Sequence, residues 1–456
     1  MAQETVVSNA DRIRPWSANP SYWQHKGQPV LLIGGSREDN LFQIPDLKEQ
    51  LDLLASVGGN YIRNTMSDRD EGDVYPYARL EDGRYDLDRW NDEYWARFAN
   101  LLRLTAERDI IVQIEVWDRF DLSDSKQMGN WQRHPYRPAN NINYTAEETG
   151  LADSYPDHPG ADKQPFYHTI PGMDEYESRY DAIRAYQERF VAKLLSYSLP
   201  CGNVLYCMNN ETSTNARWGQ HWMAFIKQQA QASGVDVFVT DMFDDGYKPE
   251  ESAKIRLALD HPELYDFIDI SQVNSRNFGE DHWRRLHWVI EQARAHPRPV
   301  NHTKIYSAGQ TSFGSGTPQD GIERFWRNLL CGSASSRFHR PTSGIGINET
   351  AQACIRSARL VEEMVKFWEV EPHMELLTDR EENEAYLAAK PGEAYIVFLC
   401  DGGSVGLDLT GVEGLLSLRW VDVSIGGVTV GAALQGGDIA QLQAPGQGPW
   451  VAVITR

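Results

Sequence analysis

The chain has 456 residues, 41% hydrophobic and 24% charged, which is ample material for one large core and a smaller companion. Its formal charge of −21 and pI near 5.0 argue against nucleic acid, because phosphate binding needs clustered Lys and Arg. No apolar run approaches the roughly 20 residues of a membrane helix, and the start MAQETVVSNADRIRPW lacks a signal-peptide core, so the chain as given is expected in the cytoplasm, or secreted or periplasmic if a leader was removed.

Strand-like and helix-like stretches alternate through the first four-fifths. Residues 30–34 (VLLIG) read as a buried strand, after which Ile44, Leu47, Leu51 and Leu54 recur at helical spacing until Gly58-Gly59. Residues 61–64 are the second predicted strand, followed by a helix carrying Trp90, Tyr94, Phe98, Leu101 and Leu102. Residues 110–117 (IIVQIEVW) are the third, and a helix over about 174–195 leads to the fourth, 203–211 (NVLYCMNNE). Later strands are predicted over 237–240, 267–271, 300–305 and 335–339, with helices marked by Trp218/Trp222, Trp283/Trp288, Phe325/Leu329 and Ile355/Leu360. Eight strands alternating with helices predict an α/β fold of the (β/α)8 type. A doubly wound sheet would want GxGxxG after its first strand, and GGSRED lacks that spacing. Beyond about residue 371, short alternating stretches between Gly-rich turns predict a small antiparallel β-sandwich. The expected division is a barrel over 1–370 and a sandwich over 371–456.

The connection 118–173 is far longer than a usual βα loop and carries Trp131, His134, Tyr136, Tyr144, Tyr155, Phe166, Tyr167 and His168. Aromatic faces at the carboxyl end of a barrel suit flat sugar rings; the alternative is an excursion with its own small core. Cys201, Cys207, Cys331, Cys354 and Cys400 are an odd set without CxxC spacing, so neither a disulfide framework nor a zinc site is expected. His282 and His287 are spaced i,i+5 on a helix outside the barrel mouth, and no metal or other cofactor is implied.

Glu211 ends the fourth strand directly after Asn210. A carboxylate there is costly unless something uses or pairs it. A fourth barrel strand ending in Asn-Glu resembles the clan A glycoside hydrolases. The opening SANPSYWQHKGQPVLLIGGS is similar to the first hairpin and strand of their apiosidase-like and cellulase-like barrels. The closing EAYIVFLCDGGSVGLDL, RWVDV and GPWVAVIT are similar to the small C-terminal β-domain of the collagen-binding type that often follows. The resemblance implies hydrolysis of a glycosidic bond in a plant or algal type glycan. In it Glu211 is the general acid, with its pKa raised by partial desolvation, and Asn210 binds the sugar hydroxyl beside the scissile bond.

The same resemblance implies a second carboxylate at the end of the seventh strand, where PVNHTK instead supplies Lys304. An ammonium cannot form a glycosyl ester. Three readings follow: an inverting hydrolase with another carboxylate, a different nucleophile or base such as Lys304 itself, or a pseudoenzyme that binds carbohydrate without turnover. Candidates for the missing group are Asp118 after the third strand and Asp241 after the fifth, with Glu38, Asp39 and Glu349 at other strand ends; Glu115 reads as an interior partner of Arg63.

Arg37, Arg63, Arg276, His302, Lys304, Arg337, His339 and Arg340 concentrate cations at predicted strand ends. Such a pocket in an acidic chain suggests uronate or sulfate recognition; the alternative is internal neutralisation of Glu38, Asp39, Glu115, Asp118 and Glu211. Glu211, Asp118, Asp241 and Lys304 are therefore the expected catalytic residues, with Asn210, Arg37, Glu38, Arg63, Trp117, His302, His339 and Arg340 around the substrate. The expected partner is an oligosaccharide or glycoside, and a uronate-acting lyase or isomerase remains an alternative.

Overall fold

The computed structural model describes residues 6–125, 129–306 and 314–456; part of the long third connection, 126–128, lies outside them. Eight parallel strands form the barrel: β1 (Leu32–Ser36), β2 (Tyr61–Thr65), β3 (Ile111–Asp118), β4 (Val204–Asn210), β5 (Val239–Thr240), β6 (Ile268–Asp269), β7 in two pieces (Val300–Asn301 and Ile305–Tyr306) and β8 (Ser335–His339). Pairing runs from β5 through β4, β3, β2, β1 and β8 to the second piece of β7, whose first piece pairs with β6. A bridge between Met242 and Asp269 closes the ring between β5 and β6. At Gly34 a Cβ would lie 2.0 Å from the Tyr61 carbonyl oxygen, so β1 and β2 approach closely only because no side chain intervenes.

Eight helices follow the strands in turn: α1 (Leu47–Ser56), α2 (Asp92–Ala106), α3 (Asp181–Ser198), α4 (Ala216–Ala232), α5 (Ala253–Asp260), α6 (Gly279–Ala293), α7 (Pro318–Leu330) and α8 (Glu349–Met364). Their starts are written locally. Thr317 and Asp320 make a capping box with Pro318 in the first turn of α7, and the Asn348 side chain accepts from the Ala351 amide to cap α8. Glu349 is thus a first-turn residue of α8.

The barrel interior is polar. Tyr61 donates to Gln113 (2.6 Å), Gln113 to Asp269 (2.8 Å) and Asn301 to Tyr61 (3.1 Å), while Arg63 binds Glu115 through two nitrogens. The opening hairpin turns at Lys26-Gly27, both with positive φ as a type I′ turn requires, and buries Trp23 beneath the barrel, where its indole donates to Asn301 (2.9 Å). The break in β7 also has a local cause. Hydroxyls replace strand partners there: Ser335 accepts from the His302 amide (2.8 Å) and Ser271 from the Thr303 amide (2.7 Å).

Two antiparallel sheets complete the chain. One orders Glu371–Pro372, Ala385–Lys390, Ala394–Leu399, Trp450–Thr455, Leu415–Asp422 and Gly427–Val430; the other orders Leu377–Thr378, Ser404–Asp408 and Ile439–Gln443. They enclose Leu387, Tyr395, Leu407, Trp420 and Ile454, and alternation sends Tyr386 and Phe398 from the first sheet to the barrel. Phe398 stacks on Trp326 of α7 (5.6 Å) and Tyr386 lies 4.9 Å from Trp283 of α6.

Candidate active site

β4 delivers Asn210 and Glu211 to the mouth of the barrel. Glu211 itself turns out of the strand with φ of 63°, a left-handed conformation that a side-chain-bearing residue holds at a cost of about 1–3 kcal/mol. Arg276 and Arg340 adopt the same conformation (φ 64° and 50°). All three border one cleft of about 840 Å³.

The Glu211 carboxylate is clamped. Lys304 Nζ donates to Oε1 at 2.7 Å, Gln272 Nε2 to the same oxygen at 2.9 Å, and Arg119 Nη2 to Oε2 at 3.1 Å. Burial alone would raise its pKa, but the charges of Lys304 and Arg119 outweigh burial and hold it well below the usual carboxylate range. The expectation of a raised pKa is therefore corrected: the group stays ionised in the free protein.

Behind Glu211 the charges alternate. Lys304 also donates to Asn210 Oδ1 (2.7 Å), and Asn210 Nδ2 donates to Asp118 (3.1 Å). Asp118 is ion-paired with Arg69, which reaches on to Asp39 (2.7 Å); Asp39 also binds Arg63 and Arg340 and lies 3.4 Å from His339. Burial works against the Asp39 charge, yet Arg63, Arg340 and His339 lower its pKa strongly.

These contacts sort the expected residues. Glu211, Lys304, Asn210, His339 and Arg340 border the cleft together, as does Asp39. Asp118 does not border it: its side chain is fully buried between Arg69 and Asn210. Asp241 lies behind the strand ends, where Thr212 donates to it (2.6 Å) and its other oxygen faces Gly219 of α4. Burial pushes its pKa up to about 7. Arg63 is buried between Glu115 and Asp39, and His302 is buried between Asn274 (3.1 Å) and Ser333 (3.0 Å). Trp117 is packed among Phe166, Phe190, Trp218 and Trp222. Arg37 pairs with Glu38 (3.5 Å), Glu38 accepts from Gln50 (3.2 Å), and neither borders the cleft.

The long loop also departs from a sugar platform. Trp131, His134, Tyr136, Phe166 and Tyr167 are buried and pack on one another, so the loop carries its own small core. Among its described residues, Arg119, Phe120, His158 and Gly160 reach the cleft. Sequence reasoning missed Arg119, Asp244, Gln272 and Tyr306, which border the cleft beside Glu211. Arg119 follows Asp118 in WDRF, and Asp244 stands in MFDDGY after β5; their exits from neighbouring strands are the signal that was available. Among the described residues, no three His, Cys, Asp or Glu are grouped to hold a metal ion, and no helix is long and apolar enough to cross a membrane.

Neither a protein-family model nor a curated protein sequence matches the chain. Solved structures do. A glycoside hydrolase family 5 protein from Bacteroides vulgatus is 12% identical with a TM-score of 0.64, over 99% of this chain and 95% of that one. A further structure, described as a glycoside hydrolase, is 12% identical with a TM-score of 0.63, over 99% and 98%. A gamma-CGTase from an alkalophilic Bacillus clarkii is 12% identical with a TM-score of 0.51, over 97% and 71%. At such identities the likeness is one of fold.

Proposed function

We propose that this protein is a glycoside hydrolase of the clan A, apiosidase-like kind, cleaving a glycosidic bond in a plant or algal glycan that carries uronate or sulfate groups. The barrel, 1–370, would hold the reaction, and the sandwich, 371–456, would be a companion of the collagen-binding type. One observation carries the reading: a glutamate in a left-handed turn at the end of β4 opens into an 840 Å³ cleft. The near full-length likeness in fold to a family 5 glycoside hydrolase supports it.

Glu211 is the reacting carboxylate. Ionised and held by Lys304, Arg119 and Gln272, it has no proton to donate, which leaves it the role of taking one from water. With Lys304 where a glycosyl ester would form, water attacks directly and the anomeric configuration inverts. The anionic substrate rests on Lys254 and Arg276, which border the cleft and form no salt bridge among the described residues; Lys254 donates to the Ser213 carbonyl (2.9 Å) and Arg276 lies over the Tyr247 ring (5.2 Å). Arg69, Arg119, Lys304 and Arg340, which also border the cleft, are each ion-paired with a carboxylate of the protein.

A second reading, carbohydrate binding without turnover, is favoured by the Lys304–Glu211 pair alone. Incubation with neutral, uronate-rich and sulfated polysaccharides separates the two, with reducing ends, product masses and ultraviolet absorbance followed. New reducing ends with one water added per bond are expected from the charged glycans. Binding without new ends would leave the second reading, and an unsaturated, ultraviolet-absorbing end would make the protein a uronate lyase.

A further inference from the structure

We infer that Asp244 is the second catalytic carboxylate, the proton donor that works opposite Glu211, and that Arg119 holds the two at working distance. The inference rests on the hydrolase reading above. Arg119 is buried, with Phe120 against its guanidinium (4.9 Å), and bridges the two acids: Nη1 donates to Asp244 Oδ2 at 2.9 Å and Nη2 to Glu211 Oε2 at 3.1 Å. The two nitrogens of one planar guanidinium are about 2.3 Å apart, so these oxygens are separated by at most about 8 Å. That limit admits both the roughly 5–5.5 Å between carboxyl groups of retaining enzymes and the lower part of the roughly 6.5–9.5 Å of inverting ones; Lys304 at the place of a nucleophile is what favours inversion.

The backbone supports the pairing. The Thr212 amide donates to the Met242 carbonyl (2.7 Å) and the Asp244 amide to the Thr212 carbonyl (3.1 Å), so the exits of β4 and β5 run side by side and present residues 211 and 244 to one space. Asp244 is also the open partner. Its side chain is 38% exposed against 17% for Glu211, and it has one cationic partner where Glu211 has two. Across from it the long loop contributes Gly160, where a Cβ would lie 3.8 Å from Asp244 Oδ2 and 3.0 Å from the His158 ring, so the wall is close.

In the step this assigns, a water oxygen bonds to the anomeric carbon as Glu211 takes one of its protons. The bond from that carbon to the glycosidic oxygen breaks, and Asp244, carrying a proton on Oδ1, the oxygen that Arg119 does not bind, delivers it to the departing oxygen. Solvent then returns a proton from Glu211 to Asp244, and one water is consumed per bond.

The test compares wild type, Asp244→Asn and Glu211→Gln on the glycan that wild type cleaves and on a dinitrophenyl glycoside of the same sugar, whose leaving group needs no proton. Asp244→Asn is expected to lose at least about 100-fold on the glycan and no more than about 10-fold on the dinitrophenyl glycoside, while Glu211→Gln loses on both. Nuclear magnetic resonance of the first product is expected to show the inverted anomer. Equal losses for Asp244→Asn on both substrates, no loss on either, or a retained anomer would overturn the assignment. Inactivity of wild type on both would instead sink the hydrolase reading beneath it.

Discussion

Replacing Lys304 with Met removes a charge that is 2% exposed and leaves Glu211 facing the cleft with Arg119 as its one charged partner, beside the Gln272 amide. At 2.7 Å and an effective dielectric of about 20, the Lys304–Glu211 attraction is about 6 kcal/mol before the desolvation of both ions is counted. Breaking such a pair by removing one partner costs about 3–5 kcal/mol, whereas removing both charges is close to neutral. Lys304→Met and Glu211→Gln are each expected to lower the unfolding midpoint by on the order of 5 °C, and the double variant to recover most of that loss. The pair also sets the ionisation of Glu211. Burial raises its pKa and Lys304 lowers it, so removing Lys304 moves the acid limb of any Glu211-dependent activity to higher pH. The assay is a double-mutant cycle by thermal unfolding, with a pH–rate profile for Lys304→Met. Additive losses in the double variant, or an acid limb that stays in place, would refute the reasoning.

Other consequences follow from buried groups away from the cleft. Asp241, pushed up to about 7 by burial, favours its neutral form in the folded state. Its contribution is complete below the unfolded value near 4 and is lost as the pH rises to about 7. Asp241→Asn should therefore gain stability over wild type by about 3–4 kcal/mol more at pH 8 than at pH 4, with activity kept; a gain independent of pH would contradict this. Trp326 is fully buried between the barrel and the C-terminal sheet, so Trp326→Ala should cost about 3–5 kcal/mol, read as a lowered unfolding midpoint with KM unchanged. A cost under about 1 kcal/mol would mean that the sandwich is not held to α7 by this contact.

The barrel was legible because its strands announce themselves as short apolar runs between helix-periodic stretches. The eighth, 335–339, was placed to the residue, and the third and fourth within a residue or so. The seventh was read as continuous because nothing local in NHTK reveals that Ser271 and Ser335, from neighbouring elements, take its amides. Lys304 could be set against Glu211 from its place in the barrel. The sign of the Glu211 pKa shift follows first from Lys304, which its place in the barrel already set against Glu211; the added pull of Arg119 and the Gln272 hydrogen bond come from other strands and could not be read. The aromatics of the long loop looked equally fit for a sugar and for a core, and packing against Trp117 decided for the core. Asp118 and Asp241 follow their strands as a catalytic group would, but one is enclosed by Arg69 and the other faces α4.

Hydrolysis as proposed requires Glu211 as the reacting group. The most direct measurement is the rate of Glu211→Gln against wild type on a uronate-rich or sulfated glycan, at a temperature where circular dichroism finds both folded. The predicted result is a loss of at least about 100-fold, the usual scale for removing a group that moves a proton in the transition state. A folded Glu211→Gln protein that cleaves the glycan at the wild-type rate would contradict it and reduce Glu211 to a member of the ion-pair chain that runs from Lys304 to Asp39.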